Sequence, residues 1–242
     1  MKISVIIPVY NEAHSIASVV SYLLKYGTTT ICEIIVVDGG SSDDTINVAK
    51  LSGARVVTSP KRGRASQMNY GAEIASGEVL YFVHADSFPP KSFAVDILNS
   101  LDEGYKFGRF RTRFDSTNFL LKINAFFTRF DLFFCYGGDQ SLFITTPLFN
   151  GIEGFDDRMK IMEDYDIVER AKEKAGYKII QKDTLISARK YDTNSWWKVQ
   201  QANYTVVRMF KNGASQDDMI GKYHSMLNYR QPVEPRFSIS RK

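Results

Sequence analysis

Short apolar runs alternate with longer amphipathic stretches over residues 1–105. The apolar runs are ISVIIPVY, EIIVVD, RVVTS and VLYFV. Between them, helical spacing is found from about Glu12 to Lys25, after Asp43, and from about Arg64 to Ala75. Strands that are apolar along nearly their whole length and alternate with helices are typical of a parallel sheet covered on both faces. The pattern therefore predicts an α/β fold for this part of the chain.

From about Lys106 the pattern changes. The segment KFGRFRTRFD alternates arginines with other residues and predicts a strand with one basic face, formed by Arg109, Arg111 and Arg113. Phenylalanines at helical spacing then predict a helix from Phe119 to Phe134, most of whose aromatic residues would lie in the core. The excess of aromatic residues also leaves open a contact with a membrane surface.

The remaining segments complete the predicted element order. The loop CYGGDQ and the strand SLFITT precede a helix in MEDYDIVERAKEKAG, and YKIIQ and TLISAR predict two more strands. The tail from Asn194 has helical spacing and ends in a loose, proline-containing segment. We divide the chain into residues 1–105, residues 106–193 of the same domain, and a C-terminal extension, residues 194–242.

The composition excludes several classes of protein. With 242 residues, 44% of them hydrophobic and 24% charged, the chain can bury a large core. Its net charge of +4 suits anionic small molecules or membrane surfaces, and no basic block is dense enough to require nucleic acid. The two cysteines lack metal-ligand spacing, and no segment has the about 18 uninterrupted apolar residues that a membrane span needs. We therefore expect a cytoplasmic protein.

Ligands of such sheets bind beyond the carboxyl ends of the strands, so the loops after the strands hold the candidate chemistry. In DGGSSDDT, Asp38 ends a buried strand and is followed by two glycines that allow a ligand to approach the backbone. A carboxylate there can accept from a ribose hydroxyl or a base N–H; the alternative is a turn that caps the next helix. Because Ser41, Ser42 and Asp43 suffice for that cap, we expect Asp38 to be free for binding.

Three other loops carry polar residues that could bind a ligand. In PVYNE, Asn11 and Glu12 stand where a helix cap and first turn belong. In HADSFPP, His84 and Asp86 alternate in an extended turn and so can face one divalent cation. The loop SPKRGRASQMNYG has basic residues before a helix N-terminus, which either bind an anion or belong to a solvated turn. These basic residues are Lys61, Arg62 and Arg64.

The helix of MEDYDIVERAKEKAG begins with three carboxylates, those of Glu163, Asp164 and Asp166. Acidic residues in a first turn favour the positive end of the helix dipole, which is a sufficient structural reason for them. The alternative is that Glu163 and Asp164 point into the crevice beyond the strand ends. Neither G-x-G-x-x-G after the first strand nor G-x-x-x-x-G-K-[ST] occurs, which argues against a dinucleotide-dependent oxidoreductase and a phosphate-loop ATPase.

Four segments in order, SVIIPVYNE, EIIVVDGGSSDDT, GRASQMNYGAEIASGEVLYFVHAD and MEDYDIVERA, resemble the motifs of family 2 glycosyltransferases. The resemblance covers about residues 1–190, and it is strongest to small bacterial members without transmembrane segments, some associated with radical-SAM gene neighbourhoods. It implies the GT-A fold, with a nucleotide-sugar-binding half (residues 1–105) and an acceptor and catalytic half (residues 106–193). It also implies transfer of a sugar from a nucleotide-sugar with inversion.

Carried over residue by residue, the resemblance implies a site. Asp164 would be the general base, with Glu163 beside it, and Asp86 would hold a divalent cation, Mn²⁺ or Mg²⁺, with His84 as an accessory ligand. The donor-binding residues would be Pro8, Tyr10, Glu12, Asp38, Gly39, Arg64, Asn69, Ala85, Asp86 and Arg189.

Two departures from the family pattern refine this expectation. The family usually has aspartate where His84 stands, and the Q-x-x-R-W motif of processive synthases is absent, with SARKYDTNSWW in its neighbourhood. We therefore expect a non-processive enzyme that takes a UDP- or GDP-sugar and an unknown acceptor. The acceptor offers either a hydroxyl or a lipid phosphate; the lipid version would bring peripheral contact with the inner face of the membrane. The alternatives are a catalytically silent nucleotide-sugar-binding protein and a nucleotidyltransferase.

Overall fold

The computed structural model of the chain describes residues 1–137 and 141–228. The strands are β1 (Ile3–Val9), β2 (Ile31–Asp38), β3 (Arg55–Thr58), β4 (Val79–Phe82), β5 (Ser87–Phe88), β6 (Phe107–Phe114), β7 (Leu142–Thr145) and β8 (Tyr177–Ile186). The helices are α1 (Ile16–Gly27), α2 (Thr45–Leu51), α3 (Arg64–Glu73), α4 (Phe93–Asp102), α5 (Phe119–Phe127), α6 (Thr146–Gly151), α7 (Glu163–Lys172), α8 (Trp196–Lys211) and α9 (Gln216–Met226). The strand and helix alternation predicted for residues 1–105 is confirmed.

Within these residues one eight-stranded sheet has the order β3-β2-β1-β4-β7-β6-β8-β5. Strands β1 to β4 pair in parallel. Strand β7 runs antiparallel to both of its neighbours, β4 and β6. Strands β6 and β8 are parallel, and the short β5 is antiparallel to β8. The sheet is therefore parallel in its first part, as predicted, and mixed in its second.

Both faces of the sheet are covered, which explains why the central strands are apolar at nearly every position. In β1, Val5 and Ile7 pack in the cluster that includes the apolar faces of α1 and α4. Ile6, which points to the other face, packs in the cluster that includes residues of α3 and α7. Gly71 lets α3 lie close against the sheet, since a Cβ there would be 2.5 Å from Cγ2 of Ile6.

The first helix starts later than the periodicity predicts. Helix α1 begins at Ile16 rather than Glu12, because Asn11 has a left-handed backbone with φ of 55°. The N–H groups of Ser15 and Ile16 both donate to the carbonyl of Glu12 at 3.1 Å. Glu12 therefore lies in a turn before the helix, where its side chain can face the strand ends.

The phenylalanine-rich helix is shorter than predicted. Helix α5 ends at Phe127 instead of continuing to Phe134. The cause is Arg109, whose guanidinium donates to the carbonyl of Thr128 at 2.7 Å and to that of Phe130 at 3.3 Å. A buried guanidinium needs acceptors, and main-chain carbonyls released from the helix supply them.

Strand β6 forms as predicted, but its three arginines differ in burial and in their partners. Arg109 is 2% exposed, Arg111 forms an ion pair with Asp183 at 2.8 Å, and Arg113 is exposed. The register against β8 shifts between Phe110 and Arg111, where β8 has two extra residues, Gln181 and Lys182. The runs YKIIQ and TLISAR, predicted as two strands, form the single strand β8 up to Ile186.

The C-terminal part is helical, as predicted, and packs on the sheet domain. Val206 of α8 and Met219 of α9 are buried in the same apolar cluster as residues of α3 and α7. Helices α4 and α6 had not been expected from the sequence. The loose end predicted within residues 194–242 falls mainly on residues 229–242, which lie outside the described residues, as do residues 138–140. The division of the chain into three parts stays a prediction.

Candidate active site

The ends of β1 and β2 form the centre of the candidate site. Val9 and Asp38 are register partners at the last position of the two strands. Asp38 is 1% exposed, and its carboxylate accepts from the N–H of Gly40 at 2.8 Å and from that of Ser41 at 3.0 Å. The expectation that Asp38 stands free of the turn is wrong, since it closes the turn itself. A carboxylate has about four acceptor positions, so contact with a nucleoside stays a prediction.

Arg189 joins the loop after β1 to the loop after β4. Its two terminal nitrogens donate to the carboxylate of Glu12 at 2.6 and 3.0 Å. Its Nε lies 3.3 Å from Oδ2 of Asp86. His14 contributes a ring nitrogen 3.3 Å from the same guanidinium. The structure thus brings together three of the predicted donor-binding residues, Glu12, Asp86 and Arg189.

Glu12 carries its negative charge in a buried position. It is 7% exposed, and this burial works against ionisation. The hydrogen bonds and the charge of Arg189 outweigh the burial, together with a hydrogen bond from Ser15, and hold the pKa of Glu12 below its ordinary value. The pair therefore stays ionised at neutral pH, and Arg189 is fixed at the rim of the site.

Gln67 fixes the strand ends, and the sequence did not single it out. Its Nε2 donates to the carbonyls of Val9 at 2.8 Å and Val37 at 2.7 Å. A Cβ on Gly39 would lie 3.0 Å from the Gln67 side-chain amide, so glycine is needed next to Asp38. The available signal was a polar residue on the buried side of α3, where Gln67 is 6% exposed.

Asn69 binds the chain ahead of α7 rather than facing the strand ends. Its Nδ2 donates to the carbonyl of Phe155 at 2.8 Å and to Asp157 at 2.7 Å, and its Oδ1 accepts from the N–H of Phe155 at 2.9 Å. These contacts use both ends of the amide. They give Asn69 a structural role and no support to the prediction that it binds the donor.

Arg64, the first residue of α3, connects that helix to the carboxylates at the start of α7. Its Nε donates to Oε1 of Glu163, and its Nη2 donates to Oδ2 of Asp164. The side chains of Glu163 and Asp164 are 3% and 14% exposed, whereas that of Arg64 is 35% exposed. The prediction that Glu163 and Asp164 point toward the strand ends is therefore supported by their shared partner on α3. Asp166, the third carboxylate, instead pairs with Arg170 one turn later at 2.6 Å.

The start of α7 has two unusual features. Met162, the residue before the helix, has a left-handed backbone with φ of 71°. Oε2 of Glu163 is buried and has no hydrogen-bond partner among the described residues. Strained backbone and unsatisfied buried acceptors occur most often at functional sites.

Asp164 also lines a small cavity. Besides Asp164, the residues that line it are Arg109, Tyr136, Leu142, Val168 and Tyr177. Arg109 also donates to the hydroxyl of Tyr177 at 2.7 Å. Asp164 thus contacts both this cavity and Arg64, and nothing in the sequence indicated that Arg109 lies here.

The remaining predicted residues lie near the same rim. Pro8 is in β1, Tyr10 is 45% exposed just beyond it, and Ala85 is buried between the predicted metal ligands His84 and Asp86. Among the described residues no three His, Cys, Asp or Glu side chains are grouped to hold a metal. A cation at Asp86 and His84 would therefore need ligands from a bound molecule and from water. In the basic loop, Lys61 pairs with Asp157 at 3.2 Å.

An exposed aromatic surface lies beyond the cavity. We call it the phenylalanine surface, and it consists of Phe119, Phe126, Phe127, Phe130 and Phe134, which are 41–71% exposed. The ring of Phe126 contacts those of Phe127 and Phe130 at centroid distances of 5.7 and 5.8 Å, and the guanidinium of Arg129 lies 3.9 Å from the centroid of Phe126. These residues were expected mostly in the core. Phe130 and Phe134 lie after the early end of α5, whereas Phe119, Phe126 and Phe127 are exposed within the helix itself.

Comparison with known sequences shows the family. The profile of "Glycosyl transferase family 2" matches residues 4–152, so the chain belongs to this family. The uncharacterized glycosyltransferase YibD of Escherichia coli K12 is 33% identical over 90 residues, which are 35% of this chain and 26% of that protein. Undecaprenyl-phosphate 4-deoxy-4-formamido-L-arabinose transferase of Klebsiella pneumoniae is 31% identical over 118 residues, 43% of this chain and 35% of that protein. The chain spans about a quarter to a third of these relatives.

A solved structure shows the same fold. Glucosyl-3-phosphoglycerate synthase from Mycobacterium tuberculosis, in complex with Mn²⁺, UDP-glucose and phosphoglyceric acid, superposes with a TM-score of 0.63 at 17% identity. The match covers 93% of this chain and 79% of that one. The predicted GT-A fold is therefore confirmed. Within the described residues, no helix is long and apolar enough to cross a membrane.

Proposed function

We propose that the protein is an inverting, non-processive glycosyltransferase that moves one sugar from a UDP- or GDP-sugar to an acceptor hydroxyl or a lipid phosphate. The observation that carries the proposal is the position of Glu163 and Asp164. Both carboxylates point toward the donor-side helix α3 through Arg64, instead of facing solvent at the start of an ordinary helix. Family membership and the fold of a UDP-glucose complex support the choice of a nucleotide-sugar.

On the donor side, the side chains around the ends of β1 and β2 would bind the nucleoside diphosphate. Asp38 would accept from the nucleoside, in addition to the two N–H groups that hold it in place. Arg189 is fixed by Glu12 and has 39% of its side chain exposed, so it can contact a phosphate without unpacking. A guanidinium beside the leaving diphosphate would stabilise the charge that develops there.

Asp86 and His84 would hold a divalent cation on the diphosphate, which when bound would act as a Lewis acid on the leaving group. The pair of a carboxylate and an imidazole suits Mn²⁺, whereas Mg²⁺ prefers oxygen ligands. The complexes of the mycobacterial synthase contain Mn²⁺ or Mg²⁺, which supports a divalent cation in the family. Arg189 already contacts Asp86, so it would share this carboxylate with the cation.

On the acceptor side, Asp164 would act as general base. It would accept the proton of an acceptor hydroxyl while the oxygen attacks the anomeric carbon from the face opposite the diphosphate, which inverts the configuration. An ionised lipid phosphate needs no such proton removal, and for that acceptor Asp164 would orient the attacking oxygen. Glu163, buried beside Asp164, would hold it in position.

The alternative functions lack comparable support. A catalytically silent sugar-nucleotide-binding protein would have no need for two adjacent carboxylates, Glu163 and Asp164, held by one guanidinium of α3. A nucleotidyltransferase is disfavoured by the family match over residues 4–152.

The phenylalanine surface supports a lipid-linked acceptor and peripheral contact with the membrane. Exposed aromatic rings beside cations such as Arg129 and the exposed Lys122 suit an anionic lipid surface. The neighbouring Phe133 packs on Tyr165 at a centroid distance of 5.2 Å, directly after Asp164 in α7. Such contact would place the base close to a lipid phosphate at the bilayer surface. Trp196 and Trp197 lie at the start of α8, with Trp197 71% exposed.

The function is tested by incubating the protein with a panel of nucleotide-sugars, with Mn²⁺, with Mg²⁺ and with a chelator, and by following release of the nucleoside diphosphate. We expect one UDP- or GDP-sugar to be turned over only with a divalent cation. An α-linked donor should then give a β-linked product by NMR. No turnover with any donor, together with no binding of UDP or GDP, would contradict the proposal.

The lipid contact is tested by sedimentation with phosphatidylcholine vesicles that contain or lack phosphatidylglycerol. The protein should sediment with the anionic vesicles, and a variant with Phe126→Ser and Phe130→Ser should not. Leu51→Ser is the control, because Leu51 is 88% exposed on α2. If the double phenylalanine variant and the Leu51→Ser control sedimented equally, the lipid phosphate would be contradicted and an acceptor hydroxyl would be the remaining proposal.

A further inference from the structure

We propose that Arg64 is shared between the carboxylate pair of α7 and the donor diphosphate, so that donor binding frees Asp164 to act as base. This inference rests on the proposed function, because it needs a nucleoside diphosphate as ligand. It makes Arg64 a positioning residue that couples the two sides of the site, in addition to its predicted contact with the donor.

The geometry of the fork points to this role. Two different nitrogens of one guanidinium are used, Nε for Glu163 and Nη2 for Asp164. Two carboxylates in adjacent residues repel each other when both are ionised, and one guanidinium between them compensates both charges. The planar fork of arginine can make two such bonds in fixed directions, which the single ammonium group of lysine cannot do.

The position of Arg64 in the chain places it next to the donor loops. It is the first residue of α3, and Gln67, one turn later, is bonded to the last carbonyls of β1 and β2. Asp38 ends β2 at the same point. A diphosphate bound at these strand ends would therefore lie near the start of α3, within reach of the Arg64 side chain.

The surroundings allow the side chain to move. A third of the Arg64 side chain is exposed, at 35%, while its partner Glu163 is almost completely buried. An anion can thus reach the partly exposed guanidinium from solvent, whereas the buried Glu163 carboxylate stays in place.

The exchange has a chemical consequence for Asp164. A carboxylate held by a guanidinium is a poor proton acceptor, because the positive charge stabilises its ionised form. When the diphosphate attracts Arg64, Asp164 loses that stabilisation and becomes more basic while the sugar is present. The buried Oε2 of Glu163, which has no partner among the described residues, offers an acceptor position for a hydroxyl of the substrate.

The first test uses thermodynamic linkage between two binding partners, and it measures the affinity for UDP rather than sugar transfer. If the carboxylates and the diphosphate compete for Arg64, weakening one partner must strengthen the other. We expect Glu163→Gln to bind UDP with Mn²⁺ about five- to tenfold more tightly than wild type by calorimetric titration. In an Arg64→Met background the same substitution should leave the affinity for UDP unchanged. Glu169→Gln, on the exposed side of α7, is the matched control and should bind UDP like wild type.

Unchanged or weaker UDP binding by a folded Glu163→Gln variant would overturn the sharing of Arg64. Folding is checked by thermal unfolding, so that a variant that fails to fold is replaced by Asp164→Asn, for which the same tightening is expected. If wild type binds neither UDP nor GDP, the proposed function fails instead.

The second test distinguishes the effect of the two hydrogen bonds made by the Arg64 guanidinium from the effect of its positive charge. Arg64→Lys keeps the positive charge and should keep the KM for the donor within about threefold, while kcat falls about ten- to a hundredfold because one carboxylate loses its bond. The acidic limb of the pH profile should also move to higher pH. Arg208→Lys, on the exposed side of α8, is the control and should have no effect. Wild-type kcat and pH profile in Arg64→Lys would show that Arg64 only holds an anion.

Discussion

Replacing Glu12 with glutamine removes a charge from the centre of the donor side without changing the shape of the side chain. Glu12 is 7% exposed and accepts two hydrogen bonds from Arg189, at 2.6 and 3.0 Å. Glutamine can accept one of these bonds, but its amide nitrogen would face a donor. Arg189 would keep its contact with Asp86. We expect Glu12→Gln to fold, to be less stable than wild type, and to hold Arg189 less firmly.

The size of the effect follows from the burial of the two partners. A hydrogen bond to a charged group contributes about 1.5–3 kcal/mol, and breaking a fully buried ion pair costs about 3–5 kcal/mol. Because 39% of the Arg189 side chain is exposed, water can replace part of the lost contact, and we take about 2 kcal/mol. For a chain of 242 residues this corresponds to a fall in Tm of about 4–8 °C.

The loss should depend on pH in a defined direction. The pKa of Glu12 lies below its ordinary value of 4.5 in the folded protein, so the stabilisation is fully present above about pH 4.5 and disappears as the pH falls through the folded pKa. The difference in stability between wild type and Glu12→Gln should therefore be constant from pH 8 to about pH 5.5. It should become smaller below pH 4.5.

Thermal unfolding followed by circular dichroism across this pH range measures the difference. Glu73→Gln serves as the control, because Glu73 is exposed at the end of α3. If the Tm of Glu12→Gln stayed within 1 °C of wild type at about pH 7, or if the difference grew as the pH fell, the ionic role of Glu12 would be refuted.

Three further predictions concern the proposed roles of single carboxylates. Asp164→Asn should lower turnover about 10²–10⁴-fold without weakening donor binding, because it keeps the shape and removes the basicity of the side chain; steady-state kinetics with the true acceptor measures this. Asp86→Ala should weaken UDP binding and abolish its dependence on Mn²⁺ in calorimetric titration, since the cation would lose its main protein ligand. Asp38→Asn should weaken UDP and UDP-sugar equally, about ten- to a hundredfold, through loss of a charge-assisted hydrogen bond to the nucleoside.

Each of these predictions has a control in an exposed carboxylate, namely Glu169→Gln, Asp102→Ala and Asp44→Asn. Full activity of Asp164→Asn would mean that another group is the base. Binding of UDP by Asp86→Ala that still responds to Mn²⁺ would assign the cation to other ligands. An effect of Asp38→Asn on UDP-sugar alone would move Asp38 from the nucleoside to the sugar.

The regular part of the fold could be predicted because its signals are local. Strands β1, β2 and β4 are largely buried and apolar at nearly every position, so the alternation of strands and helices in this part of the chain follows from the sequence. The extent of α5 could not be predicted in this way. Its end depends on Arg109, which is distant in sequence and takes the carbonyl of Thr128. The shift in register between β6 and β8 likewise depends on pairing between remote segments.

The candidate site could likewise be predicted only in part. The motifs located Glu12, Asp86 and Arg189, which the structure brings together, although they are up to 177 residues apart. They did not reveal what those residues contact. Asn69 matched the pattern and yet holds the loop at Phe155, whereas Gln67 matched no expectation and connects two strand ends. A motif identifies a residue type at a position, but the partner of its side chain depends on packing.

The antiparallel strand β7 has a consequence for how the chain folds. Strands β1 to β4 are close in sequence and can pair early, but the free edge of β4 is completed only when Phe82 pairs with Leu142. Until β7 has been synthesised and has inserted between β4 and β6, a growing chain presents an apolar unpaired edge of the kind that recruits other strands. A chaperone that binds extended segments would recognise this unpaired edge of β4. A fragment that ends at residue 105 should therefore associate with itself, even though its four parallel strands are complete.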